Sequence, residues 1–324
     1  MPPSRQHRRS SPACARRRRL RAFACFFGLI LLGLAAIALL AYPAWMLLHA
    51  YFDFPFHRIG ERIGMLALLL GLVLTARRLK LNDRASLGFG LPRKSFLREV
   101  LLGLGLGVLS MAAVVVVMGL LGLITWSAAA SLTAGGVAKL VLTRALSGLA
   151  VALIEETFIR GAMLTGIARE SGVTAAVLLT SLIYAATHFF ASYKIPATEV
   201  TATSGLDLIL GTLHLFTHPT AIADAFSCLF AVGVVLALIR VITGNIAAGI
   251  GLHAGWVWVM LVAHEVSQPV RDGGLSFLLS RFDGFIGWLV LAWTLVLGVA
   301  LSLFYVRRTL ARAHANGAAA ATLM

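Results

Sequence analysis

An all-α, polytopic transmembrane bundle of about eight helices is the fold class this sequence predicts, on three observations. Hydrophobic residues make up 59% of the 324 and charged residues 13%, against roughly 45–50% and 25% in ordinary soluble domains. The mean hydropathy is +0.90. Apolar runs that reach or approach the ~20 residues needed to cross a hydrocarbon core recur along the whole chain. Each must be helical, because lipid leaves open backbone groups unsatisfied.

The first 21 residues, with Arg5, Arg8, Arg9, Arg16 to Arg19 and Arg21, read as a basic cytoplasmic arm. The apolar run at 22–48 that follows is longer than the roughly 7–15 residues of a signal-peptide core, so it reads as a retained first span. Further spans are expected at about 61–79, 97–125, 137–167, 172–192, 221–242, 245–264 and 284–306. The bundle then covers 22–310, its chemistry about 137–264, and residues 311–324 form a cytoplasmic tail. Gly103, Gly105 and Gly107 mark a helix face open to close approach. The segment 193–220, broken by Pro196, Gly205 and Pro219, reads as an outer loop.

The net charge of +15 raises nucleic acid as a partner, but the basic residues lie beside apolar spans and act as topology signals. Arg77, Arg78, Lys80, Arg84, Arg93, Lys94 and Arg98, then Arg169, Arg240, Arg307, Arg308 and Arg312, fall on one side of an even-span arrangement. That bias agrees with an even number of spans and both termini in the cytoplasm; the expected location is a bacterial inner membrane. Cys14, Cys25 and Cys228 have neither metal-ligand nor framework spacing.

Glu155, Glu156 and Arg160 lie inside one apolar stretch. A mid-membrane charge costs on the order of 2.5–3.5 kcal/mol on the lenient insertion scale, so such a group marks function. On an α-helix Glu156 and Arg160, four apart, share a face, while Glu155 points about 100° away. Arg160 then neutralises Glu156, and Glu155 faces a wet cavity as general base. His188 follows Tyr184 by four residues in the next span, and His253 lies in a later one. A lone membrane histidine commonly ties helices together. Counting along straight helices puts Glu155, His188 and His253 about 18, 24 and 12 Å deep, a scatter that tilt absorbs. A carboxylate and two imidazoles at one level activate a water and stabilise an oxyanion, which is peptide hydrolysis.

Glu-Glu-x-x-x-Arg, an aromatic-x-x-x-His and a later His-x-x-x pattern, in that order over roughly 137–264, resemble the CAAX-protease and bacteriocin-processing (CPBP, Abi) family of intramembrane proteases. Its eukaryotic members are the type II CAAX prenyl endopeptidases. The resemblance implies that Glu155 and His188 activate water, that Glu156 and Arg160 support them, and that His253 holds the oxyanion. Two positions depart from the family pattern: Tyr184 stands where Phe is usual, and Val257 where Asn is usual. The indole N–H of Trp256 or Trp258 is the expected replacement donor, since Asn245 lies too early.

Two histidines and a carboxylate are also a catalytic zinc set, so zinc at Glu155, His188 and His253 stands as the alternative to a cofactor-free acid/base pair. His214 and His218 have metal-like spacing without a following Glu, and read as solvated loop residues before Pro219. The expected partners are the lipid bilayer and a peptide or membrane-protein substrate, with no nucleic acid. Two other readings remain: a proton-coupled transporter, which calls for repeats that the sequence lacks, and an inactive family member acting as a membrane binding or immunity protein.

Overall fold

The computed structural model describes residues 21–52, 54–127, 133–191 and 193–322. The arginine-rich arm, Arg21 excepted, lies outside the described residues, as does Cys14. Ten α-helices are described: α1 (Arg21–Leu48), α2 (Phe56–Thr75), α3 (Arg93–Leu120), α4 (Ala134–Glu155), α5 (Leu164–Ser171), α6 (Val173–His188), α7 (Ser204–Leu215), α8 (Pro219–Thr243), α9 (Ala247–Val266) and α10 (Trp288–Thr322). The all-α bundle is therefore what forms. One strand pair, β1 (Ile124–Trp126) antiparallel to β2 (Ser267–Pro269), joins the ends of α3 and α9.

Six helical rods among the described residues are long and apolar enough to cross a membrane, fewer than the eight segments read from the sequence. The two that fall short do so for different reasons. α2 has the length but carries Arg58, Glu61 and Arg62 in its first turns. α6 has 16 residues, short of the ~20 that span a bilayer. The outer segment is also not simply a loop, because it holds α7. The protein is an integral membrane protein, and the leucines and valines exposed along α1, α2, α3 and α10 are the surface that lipid would cover.

Breaks in the chain follow backbone chemistry. Thr133 caps α4 by accepting the N–H of Gly136 at 3.2 Å. Gly172 (φ +88°) turns the chain from α5 into α6, and Gly244 (φ +69°) ends α8. Asn245 then starts α9: its side-chain oxygen accepts the N–H of Ala247 at 3.0 Å and its amide donates to the Thr243 carbonyl.

The packing that matters most is α3 on α9. A Cβ on Gly103 or Gly107 would collide with the carbonyls of Ala248 or Leu252, and one on Gly251 or Gly255 with the backbone of Val100 or Val108. Two small-x-x-x-small faces therefore meet backbone to backbone, with the helices parallel. This contact fixes the rotation of α9, and hence the direction of His253. On the other side of α9, α4 runs antiparallel, tied by the Arg144–Glu265 ion pair and by Gly148 against Ala254 and Trp258. Glu99 of α3, 3% exposed, accepts two hydrogen bonds from Arg308 (2.8 and 3.0 Å) and one from Arg312 (2.5 Å), which locks α10 on.

Candidate active site

α4 does not run into α5 as a plain α-helix. Residues Glu156–Met163 form a π-helical segment inside one continuous rod, Ala134–Ser171. The wider winding, with i→i+5 bonds, brings successive side chains to within about 80° of each other rather than 100°. Gly161 here abuts the Leu87 carbonyl, closer than a side chain would permit. The sequence gives no periodicity signal for this insertion, which begins at Glu156 and carries Arg160.

Glu155 and Glu156 both address His253, from opposite sides. Glu156 Oε1 lies 3.1 Å from Nδ1 of His253, and Glu155 Oε2 lies 3.9 Å from its Nε2. Glu155 Oε2 is also 4.0 Å from Nε2 of His188. The three residues singled out at separate depths are thus one cluster. Arg160 pairs with Glu156 at 3.1 Å, at one turn's spacing as expected. Glu156 is therefore shared between a guanidinium and an imidazole.

The cluster has two layers. Glu156, Arg160, His253 and Tyr184 are buried, at 2% exposure or less. Glu155 and His188 side chains keep 24% and 27% of their surface open. The sealed layer is braced on every side: Arg160 donates to the Gly233 carbonyl at 3.4 Å and stacks over the Tyr184 ring, 4.3 Å from its centroid. His188 is oriented through Nδ1, 2.7 Å from the Tyr184 carbonyl, which leaves its Nε2 towards Glu155. A carboxylate oxygen that is buried and without a hydrogen-bond partner, Glu155 Oε2, sits between the two Nε2 atoms.

Sequence reasoning missed Gly233 and Gly249. A side chain at Gly249 would crowd Glu156 Oε2 at 3.0 Å, so its hydrogen is what lets α9 close over the acid. The only trace in the sequence is the run of small residues before His253.

The expected replacement for an amide at position 257 is corrected by the structure. Trp256 donates its indole N–H to Ser110 at 2.9 Å, and Trp258 donates to the Val141 carbonyl at 3.0 Å. Both face neighbouring helices because α9 packs on α3 and α4 with those sides. Asn245 is a turn residue, as described. The rings of His214 and His218 lie 5.0 Å apart, tilted by 45°, at the end of α7 and take no part in the cluster.

Among the described residues no group of three or more His, Cys, Asp and Glu side chains is arranged to hold a metal ion.

No curated protein and no solved structure matches this chain. A family model does match, over the part of the chain that contributes Glu155, Glu156, Arg160, Tyr184, His188 and His253. Residues 137–259 fit the type II CAAX prenyl endopeptidase Rce1-like family model, and it is to that family that this stretch of the chain is similar.

Proposed function

We propose that the protein is an intramembrane endopeptidase of the glutamate type, in which Glu155 and His188 activate the attacking water. The observation that carries the reading is the pair of near-equal gaps from Glu155 Oε2 to two imidazole nitrogens, 4.0 and 3.9 Å, at the open layer of an otherwise sealed cluster. Those gaps are too long for direct hydrogen bonds and suit one bridging polar atom. A water bridging Glu155 and His188 loses a proton to Glu155 as its oxygen attacks the peptide carbonyl. The carbonyl π pair moves onto oxygen. On collapse the C–N bond breaks, its electron pair stays on nitrogen, and the proton held by Glu155 passes to the leaving amine. The products are a carboxylic acid and an amine.

The buried layer supplies positioning. Glu156 and Arg160 fix the ring of His253, and the low-dielectric surroundings strengthen every charge–dipole contact made to the reacting atoms. The substrate is a peptide or membrane protein that reaches this depth, and a CAAX-type C-terminus is the candidate that the family offers. The arginine asymmetry supports cytoplasmic termini, and a bacterial cell membrane is the location proposed with them.

The test compares new N-termini in membranes expressing the wild type with those expressing Glu155→Gln, by quantitative proteomics with and without a chelator. Cleavage products present only with the wild type, and insensitive to chelator, are expected. Products that persist in the variant overturn the mechanism, and products lost on chelation replace it with a metal-dependent one.

A further inference from the structure

We propose that the Tyr184 hydroxyl is the hydrogen-bond donor to the oxyanion, parked on His253 in the resting enzyme. The inference rests on the hydrolytic reading above and assigns to Tyr184 the role that the family resemblance implies for His253.

The tautomer of His253 is fixed by its surroundings. An ionised carboxylate only accepts, so Nδ1, 3.1 Å from Glu156 Oε1, carries the proton of the neutral ring. This assignment follows from the hydrogen-bond network. Nε2 is then an acceptor, and the group that faces it is Tyr184 Oη at 3.4 Å. Tyr184, His253 and Glu156 thus form a hydroxyl–imidazole–carboxylate line in which the hydroxyl donates. In that state His253 has no proton to offer at Nε2.

Tyr184 Oη is well placed to do the work instead. Its ring is braced by the Arg160 guanidinium, 4.3 Å from the centroid, and by the His188 ring, 4.2 Å away, while the hydroxyl can still rotate about its C–O bond. It shares Nε2 of His253 with Glu155 Oε2 and therefore borders the space where the bridging water and the carbonyl meet. Other donors at this level are absent, bonded elsewhere or turned onto the tyrosine ring. Val257 has no polar atom, the indoles of Trp256 and Trp258 are bonded elsewhere, and Arg160 lies behind the tyrosine ring.

The length of the resting bond matters. At 3.4 Å it is well beyond the ~2.7–2.8 Å typical of hydroxyl donors. A loose bond is surrendered cheaply, and one to a full negative charge is short and strong. Interactions that strengthen only in the transition state are those that raise rate. As the carbonyl oxygen takes the π pair, the hydroxyl rotates from Nε2 to that oxygen. Tyr184 keeps its proton throughout, and rotates back when the C–N bond breaks.

Two measurements test this. In lipid nanodiscs with ¹⁵N-labelled histidine, the wild type should show His253 protonated at Nδ1 with a hydrogen-bonded Nε2, and Tyr184→Phe should shift the Nε2 resonance. An Nε2 resonance that does not move overturns the proposal. The second measurement is the rate at which new N-termini accumulate in membranes after induction. Tyr184→Phe keeps the ring and its stacking but should slow accumulation by about 10²-fold, the usual cost of losing one oxyanion donor. Adding Val257→Asn, one turn from His253 on the same face, should recover at least part of that loss, which a structural role for Tyr184 does not predict. A Tyr184→Phe variant at the wild-type rate overturns the proposal while leaving Glu155 chemistry intact. Persistence of cleavage in Glu155→Gln, or no wild-type-specific products at all, overturns the hydrolytic reading and this proposal with it.

Discussion

Glu156 Oε1 lies 3.1 Å from Nδ1 of His253 across 97 positions of sequence, inside a site where both side chains are 2% exposed or less. The same oxygen is 3.1 Å from Arg160. One carboxylate thus neutralises a buried cation and orients a buried imidazole. Removing it leaves both partners stranded in a low dielectric.

That asymmetry sets the first expected outcome. Glu156→Gln should destabilise the protein by about 3–5 kcal/mol, the scale for breaking a buried ion pair from one side. Glu156→Gln combined with Arg160→Met should recover most of the loss, because no uncompensated charge remains. Thermal unfolding of the two variants and the wild type in one detergent measures this, and equal midpoints for wild type and Glu156→Gln would count against it.

The open layer should behave in the opposite way. Glu155→Gln and His188→Gln change side chains that keep 24% and 27% of their surface exposed. Their unfolding free energies should stay within about 0.5 kcal/mol of wild type, as for other substitutions outside the packed core. Accumulation of new N-termini should nevertheless fall to background in both, while His214→Ala keeps the wild-type rate.

The glycine seam between α3 and α9 gives a paired test. A Cβ on Gly107 would meet the Leu252 carbonyl, whereas one on Gly105 meets nothing within 4 Å. Gly107→Val should cost about 1–3 kcal/mol by overpacking and displace His253 along with its helix. Gly105→Ala should leave both midpoint and cleavage unchanged. Equal behaviour of the two variants would remove the seam as the element that sets the direction of His253.

Asp283 lies in the segment between β2 and α10, where it accepts the N–H groups of Phe285 (2.9 Å) and Ile286 (2.8 Å). Burial pushes its carboxyl above the ordinary value of 3.8, against the pull of those donors. A raised value in the folded state means that the unfolded chain ionises first. The stabilising contribution is therefore complete below pH 3.8 and is lost as pH rises through the folded value. Asp283→Asn should flatten the decline in unfolding midpoint across that window. A midpoint profile parallel to wild type from pH 4 to 7 would refute the assignment.

The helical class and the membrane setting were legible in composition, because apolar runs of this length have few other stable arrangements. The span count was less so. Run length alone does not register the charges at the start of α2 or the 16-residue limit of α6, and the apolar α7, at 12 residues, is too short to read as a span. The chemistry-bearing residues stood out for an energetic reason: Glu155, Glu156, Arg160 and His253 are expensive in an apolar helix, so their presence there is informative one residue at a time. Side-chain direction is a different matter. The seam of Gly103 and Gly107 on Gly251 and Gly255 sets the rotation of α9, and the π-helical winding that begins at Glu156 lies within the motif itself; neither is visible in the sequence pattern.

By itself, then, the sequence determined that costly polar groups lie within membrane helices, since that follows from composition along a single segment. Only the tertiary structure decided which atoms meet: Glu156 on Nδ1 and Glu155 towards Nε2 of His253, Tyr184 Oη on that same Nε2, and the indoles of Trp256 and Trp258 turned to other helices. The physical reason is that a helix can rotate about its own axis without altering its hydropathy, and backbone contact with its neighbours is what stops the rotation.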